Sequence, residues 1–210
     1  MIDTARLLVF AGATIVLAVT PGPDILYTLT RGITQGRRAA LYAAMGFNLG
    51  VIFHTLLAAL GVSAILRTSA VAYQGIKMAG AAYLIYIGIQ TWRSQPADVD
   101  DGGKDYLSPQ AIFRQTIIGN ILNPKVALFF LAFLPQFVDP AQGHPGLQTA
   151  LFGLLFMLVS FPVFATVALF SGAIGDRLRR NQAIESRLRK IAGAVLVLLG
   201  VALAVPESLP

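Results

Sequence analysis

Six apolar runs dominate the chain, at 7–29, 39–66, 71–92, 113–137, 147–174 and 191–205, with short polar gaps between them. Crossing about 30 Å of hydrocarbon takes roughly 20 helical residues at 1.5 Å each, so the pattern predicts six transmembrane helices. One polar connector is long. It spans 93–114, carries Asp98, Asp100, Asp101, Gly102, Gly103, Lys104 and Asp105, and reads as a solvated cytoplasmic linker between two three-helix halves, 1–92 and 115–210, of a single membrane domain. The first run has the Arg6 flank and apolar core of a signal peptide. It continues, however, beyond a Pro-Gly-Pro break into Ile25-Leu26-Tyr27-Thr28-Leu29, which favours a retained span.

Composition agrees with the pattern. The 210 residues are 56% hydrophobic and 12% charged, with a mean hydropathy of +0.70. A soluble domain is about a quarter charged, and one of this size has no core large enough to hide so much apolar surface. The expectation is an all-α integral membrane protein; soluble, disordered and fibrous classes are excluded. The formal charge of +6 does not point to nucleic acid, because the basic residues lie in gaps between apolar runs and form no water-facing patch. They indicate orientation instead. With six spans, Arg31, Arg37, Arg38, Arg93, Lys104, Arg114, Arg177, Arg179, Arg180, Arg187, Arg189 and Lys190 share one side, and only Arg6 and Arg67 the other. Lys and Arg concentrate in cytoplasmic loops, so both termini are expected outside the cytoplasm. The absence of cysteine removes disulfides, thiolate metal sites and thiol relays; no metal or cofactor is expected.

The two halves resemble each other. Lys77-Met78-Ala79-Gly80-Ala81 in the third run matches Lys190-Ile191-Ala192-Gly193-Ala194 at the start of the sixth, and the first and fourth runs are each interrupted, by Thr20-Pro21-Gly22-Pro23-Asp24 and by Asn123-Pro124-Lys125. Three spans per half is an odd number, so the second repeat must enter the membrane inverted. Paired broken helices in inverted repeats point to a transporter's central site. Two prolines around a glycine leave backbone groups without helical partners, which lipid does not tolerate. The breaks are therefore expected to face protein or to meet around a hydrated pocket.

Charge marks the same places. Asp24 near mid-membrane costs about 2.5–3.5 kcal/mol on insertion scales, and it lies in the first turn of a half-helix, where the dipole favours an anion. Lys125 is the opposite charge in the other half; a pair with Asp24, direct or through substrate, is preferred over snorkelling to the headgroups. Substrate contacts are expected from Thr20, Pro21, Gly22, Pro23, Asp24, Asn123, Pro124 and Lys125. Lys77 fits a coupling role and an end-of-span anchor equally. Gly46, Gly50, His54 and Ala58 recur every four residues on one helix face, a spacing that lets helices approach closely within the bundle or in a homodimer, and Gly80 and Gly88 read as packing positions too. His54 fits either a group titrating near neutral pH or a satisfied interior histidine. The roles of Asn48 and Asn120 stay open, and Pro162 is expected to kink the fifth span.

Together these residues resemble the lysine exporter (LysE) superfamily, in particular its homoserine/threonine exporter (RhtB) branch, over nearly the whole length. Thr20-Pro21-Gly22-Pro23 looks like one family signature, followed by Gly46 and Gly50, and by Lys77, Gly80, Tyr83, Leu84 and Gly88. Asn123-Pro124-Lys125, with Phe129, Phe130, Pro135, Gln136 and Phe137, looks like the second. Thr116 departs from the pattern, standing where many relatives have glycine. The resemblance implies efflux of amino acids or close analogues across the bacterial inner membrane, driven by protons; a Gly-rich nucleotide-binding loop ending in Lys-Ser or Lys-Thr is absent from the sequence. The implied partners are an amino-acid substrate, protons and the lipid bilayer. An intramembrane enzyme is the alternative from another class, but His54 and His144 are the only histidines and no His-Glu-x-x-His occurs. A non-transporting subunit, the other alternative, has no use for two broken helices.

Overall fold

The computed structural model describes residues 4–68, 70–93, 106–174 and 182–205, and the regular structure among them is entirely helical. In order come α1 (Thr4–Val19), α2 (Pro23–Gln35), α3 (Arg37–Thr68), α4 (Ala70–Arg93), α5 (Pro109–Ile121), α6 (Pro124–Leu128), α7 (Pro145–Leu169) and α8 (Gln182–Ala204). α6 continues as a π-helical turn, Phe129–Phe133, and a 3-10 turn, Leu134–Phe137. The expected linker residues 94–105, and Arg177, Arg179 and Arg180, lie outside the described residues.

Both proline breaks are present. α1 meets α2 at 55°, and α5 meets the segment opened by α6 at 45°. Pro23 and Pro124 each stand in the first turn of the half-helix that follows, where the missing N–H costs nothing and φ is already set. Asn123 caps α6 by accepting the Lys125 N–H at 3.0 Å. Other boundaries differ from the apolar runs, because caps and not hydrophobicity end helices. α5 starts at Pro109, with the Ser108 side chain accepting the Ala111 N–H at 3.2 Å, so Arg114 belongs to a helix and not to the linker. α8 begins in polar sequence, well before residue 191. α7 runs through Pro162 without interruption and stops at Leu169, with a separate turn over 171–174.

Arg37–Gly61 and Pro145–Leu169 are each long and apolar enough to cross a membrane, and each bent pair is so when taken as one span. That makes two to four candidate spans among the described residues. α4 and α8 fall outside this set: Gln74, Lys77 and Gln90 dilute α4, and α8 opens on Arg187, Arg189 and Lys190.

Packing divides the bundle into two apolar clusters. One joins Phe10 and Leu17 of α1, Val51 and Ala58 of α3, Leu84, and the phenylalanines 129, 130, 133, 137, 152 and 156. The other joins Ile25 and Leu29 of α2, the alanines 39, 40, 43 and 44, Phe47, Ile112, Phe164 and Ala168. Between the two clusters lie Asn48 on α3, Asn120 on α5 and Ser160 on α7, whereas on α1 the switch falls between Leu17 and Ala18, ahead of the break and Asp24. A polar layer therefore lies between two apolar plugs. The alanine-rich plug adjoins the end where Tyr27 donates to Gln115 (2.7 Å) and Gln35 to the Leu107 carbonyl (3.0 Å), the end that holds Arg31, Arg37, Arg38 and Arg114. The opposite end is the corner at 138–148. There Gln148 bonds the backbone of Asp139 and Gly143 at 2.8 Å. The Gln142 amide first, then the Ala141 N–H and the charge of Arg6, hold the Asp139 carboxyl below the usual carboxylate range.

Gly46, Gly50, His54 and Ala58 are all buried, and the two glycines bring α3 against α5. A Cβ on Gly46 would strike the Thr116 hydroxyl and come within 2.5 Å of the Phe113 carbonyl; one on Gly50 would lie 2.6 Å from Asn120 Cβ. Thr116, the departure from the family pattern, thus fills the space that Gly46 leaves. Gly46→Ala is expected to lower stability by about 1–3 kcal/mol, and Thr116→Gly to restore part of that loss in the double variant. Thermal unfolding in detergent reads both. Only part is restored, since the Phe113 carbonyl stays in place.

Candidate functional site

Asp24 and Lys125 hold corresponding places, each directly after the proline that opens a half-helix. The folded chain brings them together: Lys125 Nζ lies 3.2 Å from Oδ2 and 3.3 Å from Oδ1 of Asp24, with 6% and 4% of the side chains exposed. Nζ also donates to the carbonyls of Thr20 at 3.2 Å and Leu17 at 3.3 Å. Those carbonyls are two of the ones the first break orphans. Pro21 has no N–H to return to Leu17, and α2 starts too late for Asp24 to serve Thr20. An ammonium has three protons, and here three residues receive them. Two charges taken out of water need such added hydrogen bonds, because their mutual attraction alone barely offsets the desolvation.

Asp24 also accepts the Ile25 N–H at 3.0 Å, within the first turn of α2, where the helix dipole adds to the stabilisation of its charge. Gly22 supplies room. Its backbone is extended (φ −152°, ψ 175°) and open to any residue, but a Cβ there would lie 2.7 Å from Asp24 Oδ1 and 3.0 Å from Lys125 Nζ.

The second break is held by His54. Its Nε2 donates to the Asn120 carbonyl at 2.9 Å, an oxygen that also accepts the Asn123 N–H at 2.9 Å. A carbonyl can only accept, so Nε2 carries the proton. The ring lies beside Phe130, 6.0 Å between centroids. Lys77 is buried on α4, and no hydrogen bond or ion pair reaches it among the described residues.

Asp24 and Lys125 line a cavity of about 10 Å³ together with Asn48, Asn120 and Ser160 and with phenylalanines 47, 156 and 164. That volume admits about one water. The hydrated pocket that the sequence allows is therefore closed, because Lys125 reaches across and occupies both the carboxylate and the freed carbonyls. Thr20, Pro21, Gly22 and Asn123 shape the breaks but do not line the cavity, and Pro23 and Pro124 are exposed. The prolines act through the backbone. Asn48 and Asn120, left open by the sequence, and Ser160, which it did not single out, do line it. Their signal was present, as uncharged polar groups at membrane depth, but which way each faced depended on helix rotation.

Broken apolar helices closed around a buried ion pair make this a helical integral membrane protein. The chain belongs to the LysE type translocator family, whose model matches residues 15–207. It is 31% identical over 188 residues to the homoserine/homoserine lactone efflux protein of Salmonella typhimurium, covering 90% of each chain. It is 30% identical over 194 residues to an uncharacterised membrane protein of Vibrio cholerae (92% of this chain, 94% of that one). Another such protein, from Pseudomonas aeruginosa, is 32% identical over 190 residues, 88% of each chain. No solved structure matches significantly. The family that the two proline motifs and the glycine positions between them resemble is the family to which the chain belongs.

Proposed function

We propose that the protein is a secondary, proton-coupled exporter of small amino acids or close analogues such as homoserine. In this reading six spans form two inverted three-helix repeats in the bacterial inner membrane, and both termini lie outside the cytoplasm. The observation that carries it is the Asp24–Lys125 pair, buried in a polar layer between two apolar plugs and joined to both helix breaks. The named efflux activity of the Salmonella relative supports the substrate class. The basic residues gathered beside the alanine-rich plug make that the cytoplasmic end.

The pair gives a mechanism by exchange of partners. A zwitterion carries the same two charges as Asp24 and Lys125. Its carboxylate takes Lys125, and its ammonium takes Asp24 together with the Leu17 and Thr20 carbonyls that Lys125 gives up. The net charge of the layer is unchanged, so the swap leaves no uncompensated buried ion. The closed cavity requires the two halves to part for loading, through the alanine-rich side for entry and the phenylalanine-rich side for release. A proton from outside neutralises Asp24 and loosens the ammonium; Lys125 then recaptures the carbonyls. Once the site opens to the cytoplasm, Asp24 gives up its proton to that side and the ion pair is restored. One charge crossing 100 mV yields about 2.3 kcal/mol, which sustains roughly a fiftyfold gradient at about 1.4 kcal/mol per tenfold.

Counterflow of labelled homoserine into proteoliposomes tests the reading; absence of exchange for any amino acid overturns it. Under an imposed proton gradient, Asp24→Asn is expected to reduce driven efflux by at least about tenfold, since truncating one partner of a buried charge pair costs about 2–5 kcal/mol. Normal driven efflux in that variant removes Asp24 from the coupling step.

A further inference from the structure

The polar layer has more hydrogen-bonding capacity than the protein itself uses. Asn120 is 4% exposed, yet its side-chain oxygen has no partner, and it lines the central cavity beside the ion pair. Ser160 Oγ donates to Asn48 Oδ1 at 3.1 Å in the same cavity, and no hydrogen bond involves the Asn48 amide nitrogen among the described residues. An unused acceptor on α5 and an unused donor on α3 thus border one small space. Buried polar groups are ordinarily satisfied, and Asn120 Oδ1 is buried without a partner, whereas Asn48 is half-buried and also borders a second pocket with Tyr42, Phe113 and Phe161.

The groups are also held in place. Asn120 packs on the bare backbone of Gly50, where a Cβ would lie 2.9 Å from Asn120 Oδ1. Its own carbonyl is tethered by His54. Ser160 fixes the Asn48 amide through the oxygen, which leaves the nitrogen facing away from that bond. A fixed donor beside a fixed acceptor suits one chemical group well. A hydroxyl donates to Asn120 Oδ1 and accepts from Asn48 Nδ2 at once. A methyl leaves both unpaired, and a second ammonium adds a cation beside Lys125.

We propose that Asn48, Asn120 and Ser160 form a side-chain subsite, apart from the Asp24–Lys125 pair, that selects small amino acids bearing a neutral hydroxyl over apolar isosteres. The inference rests on the exporter reading above and adds the residues that set its selectivity. A site built to hydrogen-bond a hydroxyl rejects the analogue lacking it far better than an apolar pocket rejects a missing methylene.

The test is competition between homoserine and norvaline, its near-isostere with a methyl for the hydroxyl, for counterflow in proteoliposomes. The wild-type protein is expected to favour homoserine by at least about tenfold. Asn120→Ala and Asn48→Ala are each expected to bring that ratio within about twofold of unity, with norvaline exchange retained. The ratio is measured within one preparation, so altered yield does not affect it, and Ser160→Ala provides a milder third variant expected to move it in the same direction. A ratio near unity in the wild type, or an unchanged ratio in all three variants, overturns the subsite and leaves the exporter reading standing. No counterflow of any amino acid in the wild type overturns the exporter reading and the subsite with it.

Discussion

Lys125→Ala is expected to abolish counterflow and to lower stability by about 3–5 kcal/mol, the range for breaking a buried ion pair by removing one partner. The loss has two parts. Asp24 keeps a carboxylate in a layer sealed by apolar plugs, and the carbonyls of Leu17 and Thr20, which receive the ammonium at 3.3 and 3.2 Å, lose their donor. Adding Asp24→Asn to the alanine variant removes the stranded charge, so the double variant is expected to recover part of the stability and none of the transport. Lys125→Arg keeps the charge but is expected to stay inactive, because a planar guanidinium does not fit a cavity of about 10 Å³. Thermal unfolding in detergent and homoserine counterflow report the two effects separately. Full transport in Lys125→Ala would mean that the pair is structural only.

Gly193→Ala and Gly88→Ala are each expected to lower the yield of folded protein sharply. α4 and α8 pack backbone to backbone. A Cβ on Gly193 would lie 2.6 Å from the Gly88 carbonyl and 2.8 Å from the Trp92 nitrogen, and a Cβ on Gly88 would lie 2.7 Å from the Gly193 carbonyl. Side chains can turn aside, but a helix backbone cannot, so the two helices must separate along their length. Overpacking a core costs about 1–3 kcal/mol where side chains can adjust, and this contact is expected at or above the top of that range. Gly12→Ala is the control. Nothing lies within 4 Å of a Cβ there, and alanine favours a helix over glycine by about 1 kcal/mol, so its yield in detergent is expected to match or exceed the wild type. Equal yields for Gly193→Ala and Gly12→Ala would refute the close approach.

The legible parts of the site were those whose signal is local. Pro21, Pro23 and Pro124 break helices wherever they occur, since a missing N–H needs no partner to make itself felt. Asp24 and Lys125 stood out because a charge inside an apolar run is costly in any fold. Gly46 and Gly50 were readable as a face from their spacing alone, and Gly88 as a packing position. Gly193 appeared only as part of a repeat, and its role as the partner of Gly88 depended on how α4 crosses α8. The π-helical turn at Phe129–Phe133 left no mark in the sequence, because the phenylalanines that pack there suit an α-helix equally well. His54 was placed on the inner face correctly, but its bond to the Asn120 carbonyl joins residues 66 apart in the chain.

By itself the sequence determined that this is a helical membrane protein of the LysE type, where its helices break, and which two charges lie at depth, because hydropathy, proline and charge act on the residue that carries them. The tertiary structure decided what those breaks enclose. It joined Asp24 to Lys125 directly, used the lysine to cap the carbonyls of the first break, closed the pocket to the size of a water, and turned Asn48, Asn120 and Ser160 toward it. Each of these is a matter of helix rotation and crossing, set by contacts between residues far apart in the chain, and no periodicity within a single helix encodes it.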